Sequence, residues 1–525
     1  MKNILKIRKE TILPLVCLLV FFFALRWNSF TAPFERDEGV YAYSAWIMRK
    51  GIMPYEYSFP YKPPMIIYTH MLSQIVFGDV IWGPRILNAL ASITVIILVG
   101  LIANKEFGKR AAWVAVWLLS LMLILPVNFG GGLLADVYYA AVTEIFMLVP
   151  IILLLYLYVI KKEKAGLFVW LISGVLSALA VGYKPICPFI LGFIYLFWII
   201  DSWKKEISIK NILIKISAAI LGLVGTLFIM FIPFLLSDGG RAFWHQMFGF
   251  STCFVGMSSN NFGLGQLFHR LLIMFKYYWV LYIVLGYLIF KRPKNWVFYT
   301  GLLAVSFLSV YYSLIGHYFL QIMPFFALTS AYGIDLLLKE KIFTKVNSFI
   351  FVAFVLLIIL WPIKDIFGKT PGELGLWVYG PYDPFYEAQL VGKKIQEITK
   401  PEDYIYLQGP DPEIVYFAQR KNAVRMEWTE FMASSCTNLK TDQQQYLRDI
   451  ENNSPEVVVL CIYGSCGYLW SDENAKYFTD FLYNLVDKNY QAIGGWIPNG
   501  TKGYWLEPIG KEDISHARTV VYKRK

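Results

Sequence analysis

The chain has 525 residues and a formal net charge of +11; 57% of its residues are hydrophobic and 16% are charged. Its mean hydropathy is +0.50. A soluble domain of this composition would leave too much apolar surface in water, so the composition excludes an ordinary soluble enzyme and indicates a polytopic membrane protein. The positive charge does not predict a nucleic acid partner, because Lys and Arg accumulate in the cytoplasmic loops of membrane proteins.

The apolar segments predict about 11 transmembrane helices, each close to the ~20 residues that a bilayer requires. The first segment follows a basic start, and we interpret it as a retained helix because no small-residue cleavage site follows it. The predicted helices lie at 11–25, 82–103, 112–127, 137–160, 166–183, 186–200, 212–236, 271–290, 296–314, 319–338 and 346–363.

Basic loops alternate with loops that carry few cations. The basic loops lie at 105–110, 161–164, 204–215, 291–294 and 339–345. By the positive-inside rule they face the cytoplasm together with the N-terminus. The segment 34–77 and everything after residue 362 then face outward. We therefore expect a multi-pass protein of the plasma membrane.

The tail differs from the rest of the chain. Helical patterns at 386–398, 442–451 and 475–487 alternate with β-rich runs at 403–408, 456–462 and 519–522. This alternation predicts a compact α/β domain. We expect a membrane module over residues 1–368, with its outer loop 28–80 carrying the active site, and an extracytoplasmic soluble domain over 369–525. The sequence has six cysteines and no CxxC pair, and it leaves open whether Cys436, Cys461 and Cys466 form a disulfide.

The outer segment 34–77 is too polar to cross a bilayer and too apolar to be a free loop. It predicts two amphipathic helices on the membrane surface, at 39–50 and 64–77. Asp37 suits the N-cap of a helix that starts at Glu38. The neighbouring carboxylate of Glu38 also favours a general base, because paired acids can raise one pKa. Capping and catalysis are compatible readings of Asp37.

Two lysines precede prolines at the predicted outer ends of helices. Lys62 lies in YKPP, where the prolines restrict its backbone to extended geometry and let Pro64 open a helix. Lys184 lies in YKP. An ammonium held beside a helix start suits a phosphate group, whereas the alternatives are a turn lysine and a snorkelling lysine.

Further polar residues lie on the same predicted face. Asp136 suits the start of a helix, and Glu144 would lie eight residues, or roughly 12 Å, deeper in it, facing a polar interior or a cation. Arg85 and Arg270 supply cations for substrate or for lipid headgroups. His317 and Tyr318 begin another helix at its outer end. No HExxH or comparable spacing predicts a metal site, although a divalent metal ion stays possible.

These motifs resemble the GT-C class of membrane glycosyltransferases, in the family-39-like branch that contains protein mannosyltransferases and aminoarabinose transferases. The matching pieces are DEGVYAYSA at 37–45, YKPP at 61–64, the helix with Asp136, YKP at 183–185 and HYFLQIMPF at 317–325. The tail segment IYLQGPDPEIVYFAQRKNAVR is similar to the soluble domain of bacterial members. Each motif is short, but their order along the chain is specific.

The resemblance implies a helix bundle with an active site on the outer membrane face, a polyprenyl-phosphate sugar donor and a hydroxyl acceptor. By motif, Asp37 would be the catalytic base, with Glu38 beside it. Lys62, Lys184 and Tyr318 would hold the donor phosphate, and Asp136 would shape the site. The acceptor would be a lipid, a glycan or a protein, and transfer would invert the anomeric carbon.

Two departures from the aminoarabinose branch are evident. That branch usually has an arginine three residues after its Asp, where this chain has Val40, and an acidic residue before the KPP lysine, where this chain has Tyr61. Both count against aminoarabinose transfer to lipid A. The alternative readings are a non-enzymatic flippase for lipid-linked sugars and an inactive glycan-binding scaffold. A flippase should place ionisable residues at both membrane faces, whereas the cluster here is one-sided.

Overall fold

The computed structural model of the protein describes most of the chain. The described residues are 9–124, 140–161, 165–205, 208–237, 240–253, 264–310, 316–340, 344–361, 367–379, 385–427, 429, 439–462, 476–499 and 502–525. Side chains in the first helix are described from residue 16 onward. Asp136, Cys436 and Cys466 lie outside the described residues, and so does the Arg270 side chain.

Helices make up the described part of the membrane module, and each predicted apolar segment contains one of them. In chain order they are α1 (Lys9–Arg26), α2 (Arg36–Arg49), α3 (Met65–Phe77), α4 (Trp82–Glu106), α5 (Lys109–Met122), α6 (Thr143–Lys161), α7 (Leu167–Tyr183), α8 (Pro188–Trp203), α9 (Ile209–Leu235), α10 (Gly240–Trp244), α11 (Leu264–Lys291), α12 (Trp296–Leu308), α13 (Met323–Leu337) and α14 (Lys345–Leu360). A π-helical turn (His245–Phe250) follows α10, and a 3-10 turn (Gly316–Ile322) precedes α13.

Five of the described helical segments are long and apolar enough to cross a membrane: Trp82–Glu106, Thr143–Lys161, Ile209–Leu235, Met274–Lys291 and His317–Leu337. Other apolar helices, such as α7 and α8, are shorter than 18 residues. The chain is therefore an integral membrane protein with a helical membrane module. The number of crossings and their orientation remain predictions.

Small residues allow α7 and α9 to pack at close range. A Cβ atom on Gly174 would lie 1.9 Å from the Ala219 carbonyl oxygen, and one on Gly222 would lie 2.2 Å from that of Leu171. Only glycine permits this approach, because any larger residue would collide with backbone. α7 ends at Tyr183, so this packing also fixes the position of Lys184, the residue that follows.

The C-terminal part contains a mixed six-stranded sheet and short helices. The helices are α15 (Pro371–Tyr379), α16 (Ala388–Ile398), α17 (Pro412–Ala418), α18 (Leu439–Asn453), α19 (Lys476–Asn489) and α20 (Lys511–Ile514). The strands are β1 (Tyr404–Gln408), β2 (Lys421–Asn422), β3 (Val457–Cys461), β4 (Tyr490–Asn499), β5 (Lys502–Leu506) and β6 (Thr519–Arg524), in the order β2-β1-β3-β6-β4-β5. β1 pairs in parallel with β2 and β3, and the other pairs are antiparallel.

The burial of β3 agrees with its central place in the sheet. β3 reads VVVLC, and all five of its residues are buried, as expected of a β-branched central strand. The predicted strands at 403–408, 456–462 and 519–522 correspond to β1, β3 and β6. β4 and β5 were not predicted from the sequence.

The C-terminal domain rests on α2. A Cβ atom on Gly39 would lie 2.6 Å from the Glu413 backbone nitrogen at the start of α17, so the two helices touch through this glycine. Farther along α2, the Tyr43 hydroxyl accepts a hydrogen bond of 2.8 Å from the Asn422 backbone nitrogen in β2. The position of α2, which carries Asp37, is therefore set from the sheet side as well as from the membrane helices.

Candidate active site

The first turn of α2 presents Asp37 but is not capped by it. Glu35 is the N-cap: its side chain accepts a hydrogen bond from the Glu38 backbone nitrogen, and the Glu38 side chain accepts one in return from the Glu35 backbone nitrogen. The prediction that Asp37 caps a helix starting at Glu38 is therefore wrong, because this capping box starts the helix at Arg36. Asp37 is nearly buried, and its Oδ2 accepts a 3.3 Å hydrogen bond from the Tyr41 hydroxyl.

Glu38 and Arg85 form a fully buried ion pair. Arg85 Nη2 lies 2.7 Å from Glu38 Oε2, and Arg85 Nε lies 3.1 Å from Oε1. Arg85 also donates to the carbonyl oxygens of Ser29, Ala32 and Pro33. Neither side chain exposes any surface. The pair therefore fixes the start of α2. The predicted roles of Arg85 in substrate binding and of Glu38 in catalysis stay predictions.

Glu144, Lys184 and His317 meet where three helices begin or end. The Lys184 ammonium forms an ion pair with Glu144 Oε1, and His317 Nε2 lies 3.8 Å from that oxygen. The Lys184 Nζ atom also lies 3.0 Å from the centre of the Tyr318 ring, within cation–π range. The partner of Glu144, which the sequence left open, is therefore a cation.

The depth predicted for Glu144 is wrong. The sequence suggested a helix opening at Asp136, which would have placed Glu144 two turns inside it. α6 instead begins at Thr143, and Glu144 lies in its first turn. Lys184 directly follows α7 in extended conformation, as expected of a residue before proline. Both members of the ion pair therefore lie at helix ends.

Lys62 approaches this cluster from the loop between α2 and α3. Its backbone carbonyl accepts a 2.8 Å hydrogen bond from the buried Tyr55 hydroxyl, and its Nζ atom lies 3.7 Å above the ring of Tyr61. Tyr61 has a φ of 36°, in the left-handed region that side chains other than glycine rarely adopt. The loop is thus fixed in an unusual turn immediately before Lys62.

The electrostatic environment of Lys62 suits an anion. Burial lowers the pKa of Lys62, and the charge of Lys184 lowers it further, while Tyr318 and Asp37 act in the opposite direction. The charge of Asp37 also acts on Lys184 and on His317. The structure therefore brings Asp37, Lys62, Lys184, His317 and Tyr318 into one electrostatic cluster, although they are far apart in sequence.

Two of the remaining predicted residues cannot be placed. Asp136 lies outside the described residues, and α11 contains Arg270 without a described side chain. Among the residues that are described, no group of three or more His, Cys, Asp or Glu side chains is placed to hold a metal ion. Cys461 is buried, and its thiol donates to Asp411 Oδ2 over 3.2 Å.

Sequence reasoning missed Glu427, which lies in the C-terminal domain. Its side chain is buried, and both carboxylate oxygens accept from the Phe59 backbone nitrogen, at 2.9 and 3.2 Å. Burial raises the pKa of Glu427 to about 8. Phe59 lies three residues before Lys62, so this contact ties the lysine loop to the C-terminal domain. No local pattern marks the pair, because 368 positions separate its members.

Part of the chain matches the model of a protein family. Residues 61–236 match the family model described as dolichyl-phosphate-mannose-protein mannosyltransferase. No curated protein matches the chain by sequence. The matched region contains Lys62, Glu144 and Lys184 and ends one residue after α9, whereas Asp37, His317 and Tyr318 lie outside it.

The fold matches solved structures over nearly its whole length. The chain superposes on ArnT from Cupriavidus metallidurans in the apo state with a TM-score of 0.59 and 13% identity, covering 97% of this chain and 98% of ArnT. The same protein bound to undecaprenyl phosphate gives a TM-score of 0.57 at 13% identity, covering 96% and 98%.

A more distant match is the Archaeoglobus fulgidus oligosaccharyltransferase tethered to an acceptor peptide, with a TM-score of 0.50 and 14% identity, covering 96% of this chain and 75% of that one. At these identities the likeness concerns the fold. Residues 61–236 are therefore similar to the mannosyltransferase family, and the chain shares the fold of ArnT and of the oligosaccharyltransferase.

Proposed function

We propose that the protein transfers a sugar from a polyprenyl-phosphate donor to a hydroxyl group of a lipid, glycan or protein acceptor, on the outer face of the membrane. The observation that carries this proposal is the convergence of Asp37 with the cations Lys62 and Lys184. A base and a phosphate-binding group side by side are what glycosyl transfer from a phosphate requires. Solved structures of the same fold are described with undecaprenyl phosphate and with an acceptor peptide.

The donor phosphate would bind between Lys62 and Lys184. Lys62 is partly exposed and close to the positive charge of Lys184, so an anion placed between them would relieve their repulsion. Glu144 already neutralises part of the Lys184 charge, which leaves Lys62 as the main cation for the phosphate. His317 and Tyr318 lie beside Lys184 and would contact the phosphate or the sugar.

Asp37 would act as the general base. Its carboxylate would take the proton from the acceptor hydroxyl while that oxygen bonds to the anomeric carbon of the sugar. The bond from the anomeric carbon to the phosphate oxygen would break, and the electron pair would leave with the polyprenyl phosphate, stabilised by Lys62. Attack opposite the leaving phosphate inverts the anomeric carbon. Asp136 stays a candidate for shaping the same site.

The proposal is tested with the purified protein in proteoliposomes that contain a polyprenyl-phosphate hexose labelled in the sugar. The expected result is label transferred to an extracted lipid, glycan or protein, with release of unlabelled polyprenyl phosphate. Liposomes carrying the Lys62→Ala variant serve as the control. Movement of the labelled donor across the bilayer without release of polyprenyl phosphate would contradict the proposal and favour the flippase reading.

A further inference from the structure

The lysine loop, which joins α2 to α3, is held by a segment that lies far away in the sequence. This clamp segment, residues 240–251, consists of α10, the π-helical turn after it and one further residue. Its Phe250 ring packs edge-to-face on Phe59, with ring centres 4.8 Å apart, and its Phe243 ring packs in the same way on Tyr55, at 5.0 Å. The clamp segment therefore packs against one side of the lysine loop through aromatic rings.

Gln246, in the π-helical turn of the clamp segment, binds the backbone of the lysine loop at three points. Its Nε2 atom donates to the carbonyl oxygens of Tyr55 and Ser58, at 2.6 and 3.0 Å. Its Oε1 atom accepts from the backbone nitrogen of Tyr61, at 3.4 Å. The side chain is only 4% exposed, so the donor and the acceptor of one buried amide are both used by the same loop. An apolar residue of similar size could fill this space but could not fix the backbone.

The backbone that Gln246 binds is strained at the residue before Lys62. Tyr61 has a φ of 36°, and a residue other than glycine keeps such a conformation only where the surrounding structure enforces it. Gln246 accepts from the nitrogen of Tyr61, and Ser251 Oγ donates to its carbonyl oxygen at 3.0 Å. The clamp segment thus binds Tyr61 on both sides. Enforced conformations of this kind are typical of active sites.

We propose that Gln246 is a positioning residue of the donor site, an inference that rests on the proposed transferase function. By holding Tyr61 in its strained conformation, Gln246 directs the Lys62 ammonium toward the donor phosphate. The Nζ atom of Lys62 lies 3.7 Å from the centre of the Tyr61 ring, so a shift of Tyr61 would move the surface against which the ammonium rests. Gln246 would act through Lys62, without touching the phosphate itself.

The proposal is tested by the affinity of the full chain in nanodiscs for polyprenyl phosphate. The proteins compared are the wild type, Gln246→Met, Lys62→Ala and the double variant, because methionine has a similar shape but cannot form these hydrogen bonds. We expect Gln246→Met to weaken binding about 3- to 10-fold, and to cause no further loss when Lys62 is already alanine. Unchanged affinity in Gln246→Met, or the same factor of loss in both backgrounds, would overturn the proposal.

Steady-state kinetics separate positioning from a merely structural role. In Gln246→Met the donor KM should rise while the acceptor KM stays at its wild-type value; a rise of both KM values would assign Gln246 to the fold in general and overturn the proposal. Gln396→Met is the matched control, because it removes a 2.8 Å hydrogen bond from a glutamine side chain to the Phe417 carbonyl oxygen within the C-terminal domain. It should leave the donor affinity unchanged even where the thermal midpoint falls.

Ser251→Ala supplies a second measurement that does not depend on the folding of Gln246→Met. It removes the hydroxyl that binds the Tyr61 carbonyl oxygen, and it should weaken binding of polyprenyl phosphate about 2- to 5-fold, again only where Lys62 is present. If the wild type binds polyprenyl phosphate and transfers sugar while neither variant changes the affinity, this inference fails and the transferase proposal stands. If the wild type does not bind polyprenyl phosphate, both fail together.

Discussion

Lys62 lies on a loop outside any helix or strand, so its side chain can be removed without touching a packed element. We predict that Lys62→Ala raises the donor KM by about 10- to 100-fold, because a charge-assisted contact contributes roughly 1.5–3 kcal/mol. Lys62→Arg should recover part of that loss. Lys50→Ala, which removes an exposed lysine of the same segment, is the control. A donor KM unchanged in folded Lys62→Ala would assign the residue to the turn alone.

The same lysine should make donor binding depend on pH. Because burial lowers the pKa of Lys62, the ammonium loses its proton at a lower pH than an exposed lysine does. The wild-type donor KM should therefore begin to rise at a lower pH than the ordinary lysine pKa of 10.5 would give. In Lys62→Arg the rise should be absent, because a guanidinium stays charged throughout.

We expect Glu144 and Lys184 to stabilise the helix ends only when both charges are present. We predict that Glu144→Gln alone lowers the free energy of unfolding by about 3–5 kcal/mol, because it leaves a buried cation without its partner. The double variant Glu144→Gln/Lys184→Met should regain most of that stability and still bind donor poorly. Glu340→Gln, in an ion pair that is 42% exposed on both sides, is the control and should change little. Equal losses in the single and double variants would contradict this account.

The sequence predicted which residues belong to the candidate site, but it did not predict which residues they contact. Lys62, Lys184 and Tyr318 were recognisable because each belongs to a short motif, and the structure places them together. Lys184 and Glu144 are 40 positions apart, so no local sequence pattern predicts their ion pair. Asp37 was misread as a cap because Glu35, a less common cap, forms a reciprocal box with Glu38 that only the backbone geometry reveals.

At the scale of elements, α2 is held by its contact with α17. We predict that Gly39→Ala costs about 1–3 kcal/mol, because the new methyl group would collide with the Glu413 backbone, which cannot rotate away as a side chain can. Thermal unfolding in detergent measures the loss. Gly192→Ala in α8 is the matched control, since its Cβ would meet open space. A Gly39→Ala protein as stable as wild type would mean that α2 and the C-terminal domain do not pack as described.

The contact between Glu427 and the lysine loop should depend on pH. Since burial raises the folded pKa to about 8 from an ordinary value of 4.5, the folded state holds a proton that the unfolded state releases. The stabilisation that this proton gives the folded state is complete below the unfolded pKa of 4.5. It is lost as the pH rises from there through about 8, by up to about 1.4 kcal/mol per pH unit.

The variant Glu427→Gln isolates this effect. Its amide oxygen can still accept from the Phe59 nitrogen but does not titrate, so the thermal midpoint should lose this part of its pH dependence. Glu402→Gln, on the exposed surface of the same domain, should retain the wild-type profile. Identical profiles for Glu427→Gln and wild type between about pH 5 and 9 would show that the Glu427 carboxyl does not titrate as its burial implies.

Helix existence followed from the sequence because each apolar run ends at polar or helix-breaking residues, and α3, α7 and α8 lie within three residues of their predicted bounds. Other bounds were less accurate: the predicted start of α6 lay six residues too early, because apolar residues continue outside the helix, and that of α11 lay seven residues too late. The strands β4 and β5 were missed because Gly494, Gly495, Pro498 and Gly503 are residues typical of turns, whereas in the sheet Gly494 packs against the ring of Trp505 and Gly503 against that of Trp496.

At the scale of the whole molecule, the membrane module contains Lys62 and Lys184, and the C-terminal domain sets the position of α2, which carries Asp37, the proposed base. α2 contacts both parts: Glu38 is bound to Arg85 of α4, and Gly39 touches α17. The architecture could be predicted from composition and motif order. The coupling between the parts could not, because it depends on contacts between residues hundreds of positions apart.

The most direct test of the account is the turnover of Asp37→Asn, measured together with donor binding. Asparagine is nearly isosteric but cannot accept the acceptor proton, so turnover should fall by a factor of roughly 10²–10⁴. Donor affinity and thermal midpoint should stay close to wild type, because the phosphate contacts come from the lysines and Glu35 caps the helix. Asp79→Asn, in the turn after α3, is the control and should keep full turnover. Near-normal turnover in a folded Asp37→Asn protein would contradict the central claim that Asp37 is the base.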